Sequence, residues 1–259
     1  MNKLIAVLAL AACFVCGCKS ENDNTPSQDV AQSTSTYAVV VGVANSQFAG
    51  ECPGADYDAK RMKSLLTRYT PHVTFLLNND ATKAAVMNAV NDGIAKAELF
   101  IFYYSGHGGS EKFADTGAEE DDGMDEYYCF YDTYMRDNDM WNMIKKSKGR
   151  VMLINDCCHS KTMYRAPCIT LRKSMSLSAE KDEEIDFSML CWSGCPDDTY
   201  SYGSESGGKF TNSLLSNYEY GKTYEKVWDV ISKDSSLLRY ETPQETIIGE
   251  GFEGKLIFQ

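Results

Sequence analysis

Two short polar segments of this 259-residue chain carry residue types that can perform nucleophilic chemistry. The first, residues 105–109, reads SGHGG, and the second, residues 156–160, reads DCCHS. A cysteine attacks as its thiolate, and an unperturbed thiol is mostly protonated at neutral pH, so it needs a base nearby. The two segments together predict a pair of one histidine and one cysteine that can support covalent catalysis.

Each segment follows a continuous apolar run, which is typical of a strand buried on both faces of a sheet. The runs cover residues 99–104 and 150–155. If the two strands are neighbours, their carboxyl ends lie about 5 Å apart, and His107 faces the cysteine pair across a cleft. The glycines around His107 allow a substrate to approach the backbone closely and can present N–H groups to an oxyanion.

The alternation of side chains at a strand end separates the candidates within the second segment. Cys157 and Cys158 should point in opposite directions, and the same alternation disfavours His159 as a base for Cys158. His72 precedes a predicted strand without a glycine or thiol nearby, and we expect it to be a surface residue. The residues alone therefore select His107 as the base and leave both cysteines open as the nucleophile.

The remaining chain alternates patterns of strand and helix. The apolar runs predict strands at 37–43, 73–77, 99–104, 150–155, 186–191 and about 246–258, and helical spacing predicts helices at 56–69, 82–96, 137–146, 209–219 and 222–239. Such alternation implies an α/β fold with a mostly parallel sheet of about six strands and helices on both faces. The long irregular stretches after the third and fourth strands lie at the carboxyl end of the sheet, where open α/β sheets place their sites.

The composition excludes some function classes. The formal net charge of −12 argues against binding to nucleic acid, which requires clustered Lys and Arg. Among the cysteines that follow residue 18, no pair has CxxC spacing, which disfavours a zinc site. The length suffices for one domain with a sizeable core.

The N-terminus reads as an export signal. Residues 1–17 begin with a short charged stretch, and the apolar run from Leu4 to Ala12 is too short to span a bilayer. Residues 15–18, VCGC, resemble a bacterial lipobox with the lipid on Cys18. A second match ends at Cys13, but cleavage there would leave an apolar Phe-Val pair exposed, so we prefer Cys18.

Residues 18–35 contain almost nothing apolar and predict a disordered, lipidated tether to a membrane. Lys19 follows the lipobox cysteine where an aspartate would retain a Gram-negative lipoprotein in the inner membrane. By that resemblance the outer membrane is the expected destination, and residues 36–259 are the expected folded domain.

The two polar segments in combination resemble the catalytic signatures of the caspase-like cysteine peptidase superfamily, in the form found in metacaspases and bacterial orthocaspases. Three further stretches match within residues 37–220: GADYDA at 54–59, the acidic stretch that begins GMDE at 123–126, and SGCPDD at 193–198. The resemblance implies a caspase-haemoglobinase-like three-layer sandwich. It also implies cysteine endopeptidase activity through a Cys–His dyad and a thioester acyl-enzyme.

The family pattern Asp-x-Cys-His-Ser makes Cys158 the nucleophile and His107 the general base, with the backbone N–H groups of Gly108 and Cys158 as oxyanion donors. It further implies that Asp58 and Asp156 line the pocket for the P1 side chain, named S1. A pair of carboxylates suits Arg or Lys, so the expected partner is a peptide or protein with a basic P1 residue. The family often continues Asp-x-Gln-Thr-Ser-Ala-Asp, whereas residues 198–203 read DTYSYG and lack the glutamine and the last aspartate.

The dyad itself requires no cofactor, but metacaspases are often activated by calcium. Asp122, in the acidic run 119–122, and Asp139 are candidate oxygen ligands, with a solvated acidic loop as the alternative. Residues 161–184 fall where this superfamily cleaves itself, although a simple surface loop fits equally well. Two other functions remain open: a clostripain-like or gingipain-like peptidase, and a catalytically silent lipoprotein that acts as a binding module.

Overall fold

The computed structural model describes residues 31–112, 124–164 and 187–259. The strands are β1 (Thr36–Gly42), β2 (Asn45–Ser46), β3 (Gly50–Glu51), β4 (His72–Leu77), β5 (Leu99–Ser105), β6 (Gly108–Glu111), β7 (Asp125–Cys129), β8 (Tyr134–Arg136), β9 (Arg150–Asp156), β10 (Ser188–Ser193), β11 (Gly203–Ser204), β12 (Gly207–Gly208) and β13 (Gln244–Ile248). The α-helices are α1 (Ala55–Leu66), α2 (Lys83–Ile94), α3 (Asp137–Ile144), α4 (Lys209–Asn217) and α5 (Tyr224–Ile231).

Six strands form the central sheet in the order β13-β10-β9-β5-β1-β4. The neighbouring pairs are parallel except for β13, which runs antiparallel to β10 at one edge. The three central strands end in register, because Gly42 pairs with Ser105 and Ser105 pairs with Asp156. Their carboxyl ends therefore meet at one edge of the sheet, and the loops that follow them leave side by side.

The sheet is buried on both faces, as the continuous apolar runs predict. Strand β5 has the sequence LFIFYYS and is buried along its whole length. Its alternate residues pack into two separate cores: Phe100 and Phe102 contact the core beneath α2 and α3, whereas Ile101 and Tyr103 contact the core beneath α1, α4 and α5. The predicted α/β fold, with a mostly parallel sheet of six strands between two helical layers, is thus confirmed.

Element boundaries differ from the sequence pattern mainly near the C-terminus. The pattern predicts a helix over 222–239, but α5 ends at Ile231 and turns follow. Asp234 provides the reason, because its carboxylate accepts hydrogen bonds from the backbone N–H and the hydroxyl of Ser236 and thereby stabilises a turn. The predicted last strand at 246–258 begins earlier, and β13 ends at Ile248, just before Gly249 with φ 74°.

Two other expectations are wrong. The stretch after β5, predicted as irregular, contains a three-stranded antiparallel sheet in the order β6-β7-β8. His72 is the first residue of β4 and stacks on Tyr37 with ring centroids 4.3 Å apart, so it is a half-buried packing residue rather than a surface residue. Within the described ranges, no helix combines the length and the apolar character that crossing a bilayer requires.

Candidate active site

The loops that carry the predicted base and nucleophile leave adjacent strands at the same level. Ser105 at the end of β5 pairs with Asp156 at the end of β9, and His107 and Cys158 each lie two residues further along. The N–H of Gly106 donates to the carbonyl of Asp156 at 3.4 Å and continues the pairing beyond the strands. The structure thus brings the histidine loop and the cysteine loop together, as the sequence predicts.

Gly108 allows these two loops to touch. A Cβ atom at this position would lie 2.3 Å from the carbonyl oxygen of Cys158 and 3.2 Å from Sγ of Cys157. Real Cβ atoms essentially never approach another heavy atom within 3.0 Å, so any larger residue would push the loops apart. Gly108, the second glycine of the SGHG segment, is therefore required for the close approach between the histidine loop and the cysteine loop.

The imidazole of His107 is oriented by a backbone carbonyl. Its Nε2 lies 2.7 Å from the carbonyl oxygen of Glu51 in the short β2–β3 hairpin. A carbonyl oxygen can only accept a hydrogen bond, so Nε2 carries the proton and Nδ1 of the neutral ring keeps its lone pair. The carbonyl of His107 accepts from the N–H of Cys129 at 3.0 Å and from the hydroxyl of Tyr104 at 2.7 Å. Both the ring and the backbone of the base are consequently fixed.

The two adjacent cysteines lie in different environments. Cys157 is buried in the core beneath α2 and α3, and burial raises the pKa of its thiol well above the ordinary value. Cys158 is half-exposed, and its Sγ lies 3.8 Å from the carbonyl oxygen of Ser201. Only Cys158 of the pair is accessible to a substrate, which supports its assignment as the nucleophile.

The environment of the Cys158 thiol favours its protonated form. Burial raises its pKa, the hydrogen bond to Ser201 opposes this effect, and the ionised forms of the nearby Glu241 and Asp156 carboxyls raise the pKa further. Attack therefore requires a base to remove the proton, which is the role predicted for His107. Among the described residues, the backbone N–H of Cys158 donates to no backbone carbonyl outside the strands, and its role as an oxyanion donor stays a prediction.

His159 is engaged by the segment 197–200. Its φ of 52° lies in the left-handed region, its Nδ1 contacts the carbonyl oxygen of Asp197, and its ring packs edge-on against Tyr200. One ring nitrogen is therefore already occupied by a backbone carbonyl. This placement agrees with the expectation that His159 is not the base for Cys158.

The two carboxylates expected in S1 are both buried beside the cleft. Asp58 in α1 contacts Nη2 of Arg61 at 2.5 Å, accepts from the hydroxyl of Ser105 at 3.2 Å, and accepts from the N–H of Gly208 at 2.7 Å. Asp156 accepts from the N–H of Thr211 at 2.8 Å. Sequence reasoning missed the Arg61 contact, which engages one oxygen of a carboxylate expected in the pocket.

The β11–β12 hairpin covers both carboxylates. A Cβ atom on Gly207 would lie 2.1 Å from Oδ1 of Asp58, and one on Gly208 would lie 2.2 Å from Oδ2 of Asp156. Only glycine backbone fits this closely, so the hairpin occupies the space above the carboxylates. Gly207 and Gly208 would have to move before another side chain could occupy this space.

Burial raises the proton affinity of both carboxyls. Burial and the charge of Asp156 raise the pKa of Asp58 to about 6, although its hydrogen bonds to Gly208 and Arg61 oppose this shift. Burial also raises the pKa of Asp156. The site therefore holds excess negative charge in a poorly solvated space, which a cation would relieve.

Sequence reasoning missed a third carboxyl, Glu241, which lies just before β13. Its Oε2 is 2.7 Å from the hydroxyl of Ser201 and 2.9 Å from the backbone nitrogen of Tyr202. The same Ser201 hydroxyl lies 2.9 Å from Oδ1 of Asp156. A lone glutamate more than 80 residues after the nucleophile has no local pattern that would link it to the site.

Several predicted features lie outside the described residues. These are the signal at 1–17, Cys18 with most of the tether, Asp122, and residues 165–184 of the linker. Asp139 is described and contacts Nζ of Lys83 at 2.8 Å. Within the described ranges, no group of three or more His, Cys, Asp or Glu side chains is arranged to hold a metal ion.

These features together define an α/β protein with a thiol and an imidazole at the carboxyl ends of neighbouring parallel strands. A family model described as Caspase domain matches residues 35–245. The chain belongs to this family, and the caspase-haemoglobinase type of fold predicted for it is confirmed.

The similar proteins agree with this membership. Metacaspase III c from Phaeodactylum tricornutum is 32% identical over 105 residues, which are 38% of this chain and 31% of that protein. A crystal structure of a Geobacter sulfurreducens protein matches with a TM-score of 0.64 at 24% identity over 83% of this chain and 94% of that chain. The crystal structure of caspase-1 from Spodoptera frugiperda matches with a TM-score of 0.56 at 12% identity over 92% and 94%.

The two structural similarities show the fold alone. The curated relatives that match are metacaspases, and each alignment covers less than half of the relative's length. The similarity to metacaspases therefore agrees with membership of the caspase domain family, whereas the activity of this chain has to be argued from its site.

Proposed function

We propose that the protein is a cysteine endopeptidase that uses Cys158 as nucleophile and His107 as general base, with a preference for Arg or Lys at P1. The observation that carries this proposal is the placement of the accessible Cys158 thiol and the oriented His107 imidazole just after the carboxyl ends of two adjacent strands that end in register. Membership of the caspase domain family supports the same chemistry.

The proposed reaction follows from the hydrogen bonds of the two side chains. Nδ1 of His107 accepts the proton of the Cys158 thiol while the sulfur attacks the scissile carbonyl carbon. The oxyanion that forms accepts hydrogen bonds from the N–H groups of Cys158 and Gly108. His107 then returns the proton to the leaving amine, the C–N bond breaks, and a thioester remains. Water activated by the same imidazole hydrolyses this thioester and regenerates the thiol.

The preference for a basic P1 residue rests on charge. Asp58 and Asp156 are buried close together, and the guanidinium of Arg61 contacts only the first of them directly. A substrate guanidinium or ammonium would relieve the remaining negative charge through charge-assisted hydrogen bonds. An aspartate at P1 would add a third carboxylate to the same space.

The covered carboxylates support a latent resting state. Since Gly207 and Gly208 would have to move before another side chain could occupy the space above the carboxylates, activation by cleavage within residues 161–184 or by calcium fits this site. For calcium we propose Asp122 and Asp139 as ligands, and Asp139 would have to exchange its contact with Lys83. We also propose that the protein is exported and anchored through a lipid on Cys18, in the outer membrane of a Gram-negative cell. A Cys18→Ala variant would then be lost from the membrane fraction.

A panel of fluorogenic peptides with Arg, Lys or Asp at P1, assayed with and without calcium, tests the activity. We expect turnover of the Arg and Lys peptides, loss of at least about a thousandfold in kcat/KM in Cys158→Ala, and substantial retention in the control Cys157→Ala. Loss of activity in the Cys157 variant with retention in the Cys158 variant would reverse the assignment of the nucleophile. Absence of turnover under every condition would favour a catalytically silent binding module.

A further inference from the structure

Glu241 is a buried carboxyl that the proposed mechanism does not use. Only 5% of the residue surface is exposed, and its Oε1 lacks a hydrogen-bond partner among the described residues. Its Oε2 contacts the Ser201 hydroxyl and the N–H of Tyr202. Glu241 therefore holds the segment 200–202, whose carbonyl at Ser201 contacts the sulfur of Cys158.

The Ser201 hydroxyl lies between two carboxyls and has a single proton. It is 2.9 Å from Oδ1 of Asp156 and 2.7 Å from Oε2 of Glu241. A hydroxyl can donate to only one of them. The contact with the other carboxyl is a hydrogen bond only if that other carboxyl carries a proton and donates it to the serine oxygen.

The other contacts decide which carboxyl carries this proton. Asp156 also accepts from the N–H of Thr211, and the positive charge of Arg61 acts on it, so its charged form is compensated. Oε1 of Glu241 has no hydrogen-bond partner among the described residues, and burial and the charge of Asp156 outweigh the N–H groups of Tyr202 and Phe210, which favour the anion, so the pKa of this carboxyl is raised. The consistent arrangement is a chain in which Glu241 donates to Ser201 and Ser201 donates to Asp156.

We propose that Glu241 is a positioning residue that works in its protonated form and holds the 200–202 segment against the nucleophile through this chain of hydrogen bonds. Its loss of the proton breaks the chain, because two carboxylates then compete for one hydroxyl. It also places a second negative charge near Cys158 and disfavours the thiolate. The kinetic consequence rests on the proposed peptidase function, whereas the effect on the thiol does not.

Groups from several elements face this carboxyl or its contacts. They are Asp156 at the end of β9, Cys158 and His159 in the loop that follows, Asp58 and Arg61 from α1, and Lys209 at the start of α4, which stacks over the ring of Tyr240. Burial and the charge of Asp156 raise the pKa of Glu241 to about 8, against its hydrogen bonds with Ser201, Tyr202 and Phe210. The proton is therefore present at neutral pH and lost in mildly alkaline solution.

Glu241→Gln and Glu241→Ala test the proposal, with Glu245→Gln as the matched control. Gln keeps a donor in place of the carboxyl proton and cannot ionise, whereas Ala removes the chain. Glu245 undergoes the same chemical change four residues later, where it only accepts from Nε1 of Trp192 at 2.9 Å. Activity is compared within each variant as the ratio of kcat/KM at pH 7 to that at pH 9, so a lower overall rate does not affect the comparison.

A group with a pKa of about 8 falls from about nine-tenths protonated at pH 7 to about one-tenth at pH 9. Ionisation of Glu241 therefore contributes about a tenfold loss of kcat/KM over this range in the wild type and in Glu245→Gln. We expect this contribution to be absent from Glu241→Gln, and we expect Glu241→Ala to be less active than Glu241→Gln at pH 7. A Glu241→Gln profile that coincides with the wild-type profile would overturn the proposal.

Alkylation of Cys158 by iodoacetamide, followed by mass spectrometry of its peptide, gives a readout that does not need peptidase activity. Between pH 8 and pH 9, Glu241→Gln should react several-fold faster than the wild type, because the ionised carboxyl no longer opposes the thiolate. Near pH 6.5 the two rates should converge. This result without peptide hydrolysis would refute the proposed function and keep the role of Glu241, whereas equal rates at every pH would refute the role.

Discussion

Gly108→Ala perturbs the contact between the histidine loop and the cysteine loop by a known amount. The added Cβ would lie 2.3 Å from the carbonyl oxygen of Cys158, and relief to the 3.0 Å limit requires a movement of at least 0.7 Å. A backbone carbonyl cannot rotate away from this contact, so the two loops must separate. Because a misplacement of about 1 Å can cost about 100-fold in rate, we expect kcat to fall by roughly that factor.

Gly109→Ala provides a matched control for this substitution. Its Cβ would also meet a neighbour at 2.3 Å, but that neighbour is the ring of Tyr127, a half-exposed side chain that can turn aside. We expect kcat of this variant to remain within about fivefold of the wild type, the equivalent of about one hydrogen bond.

The assay compares kcat and KM of both variants on a peptide with Arg at P1, together with their thermal unfolding. Overpacking at residue 108 should cost about 1–3 kcal/mol of unfolding free energy, which lowers Tm by several degrees but leaves the protein folded at 25 °C. Full activity in Gly108→Ala would show that the close approach of the loops does not matter for catalysis. Equal losses in both variants would show that glycine flexibility, rather than the contact with Cys158, is required.

Two further predictions concern the groups around the dyad. Glu51→Ala should retain most of kcat, because the backbone carbonyl and not the side chain orients His107; a loss above about tenfold in steady-state assays would contradict this reading. A small guanidinium compound such as agmatine should accelerate the alkylation of Cys158 by iodoacetamide, since a cation beside the buried carboxyls lowers the thiol pKa. Asp58→Asn should weaken that acceleration, and an unchanged response in the variant would argue against Asp58 as part of the cation site.

The central sheet could be predicted because the residues of each strand form an apolar run that is visible in the local sequence. The run at 99–104 is apolar at every position, so it had to lie between two layers, and the structure extends it only by Ser105. Prediction was poorer where polar side chains bond to their own backbone. The helical pattern after residue 222 continues past Ile231, but the turn around Asp234 ends the helix, and such a turn competes with a helix at little cost.

The candidate site was predictable as far as it consists of side chains on strand ends. His107 and Cys158 follow apolar runs, and the alternation of side chains separates them from their neighbours. The carbonyl of Glu51 has no signature in a sequence, because every residue has a carbonyl and only the folded hairpin selects this one. Glu241 reaches the site across a long separation in sequence, and its partner in the site is a hydroxyl rather than a motif residue.

The placement of the carboxyls explains how such a site can remain inactive without substrate. Carboxylates near a thiol disfavour its ionisation, and burial strengthens the effect. A cationic P1 side chain would neutralise the carboxylates and, by the same electrostatics, make the thiolate easier to form. On the proposed preference for a basic P1 residue, the same charge would both select the substrate and suppress the nucleophile until a substrate of the right charge arrives. An acidic or neutral side chain would leave the thiol protonated, so discrimination would appear in kcat as well as in KM.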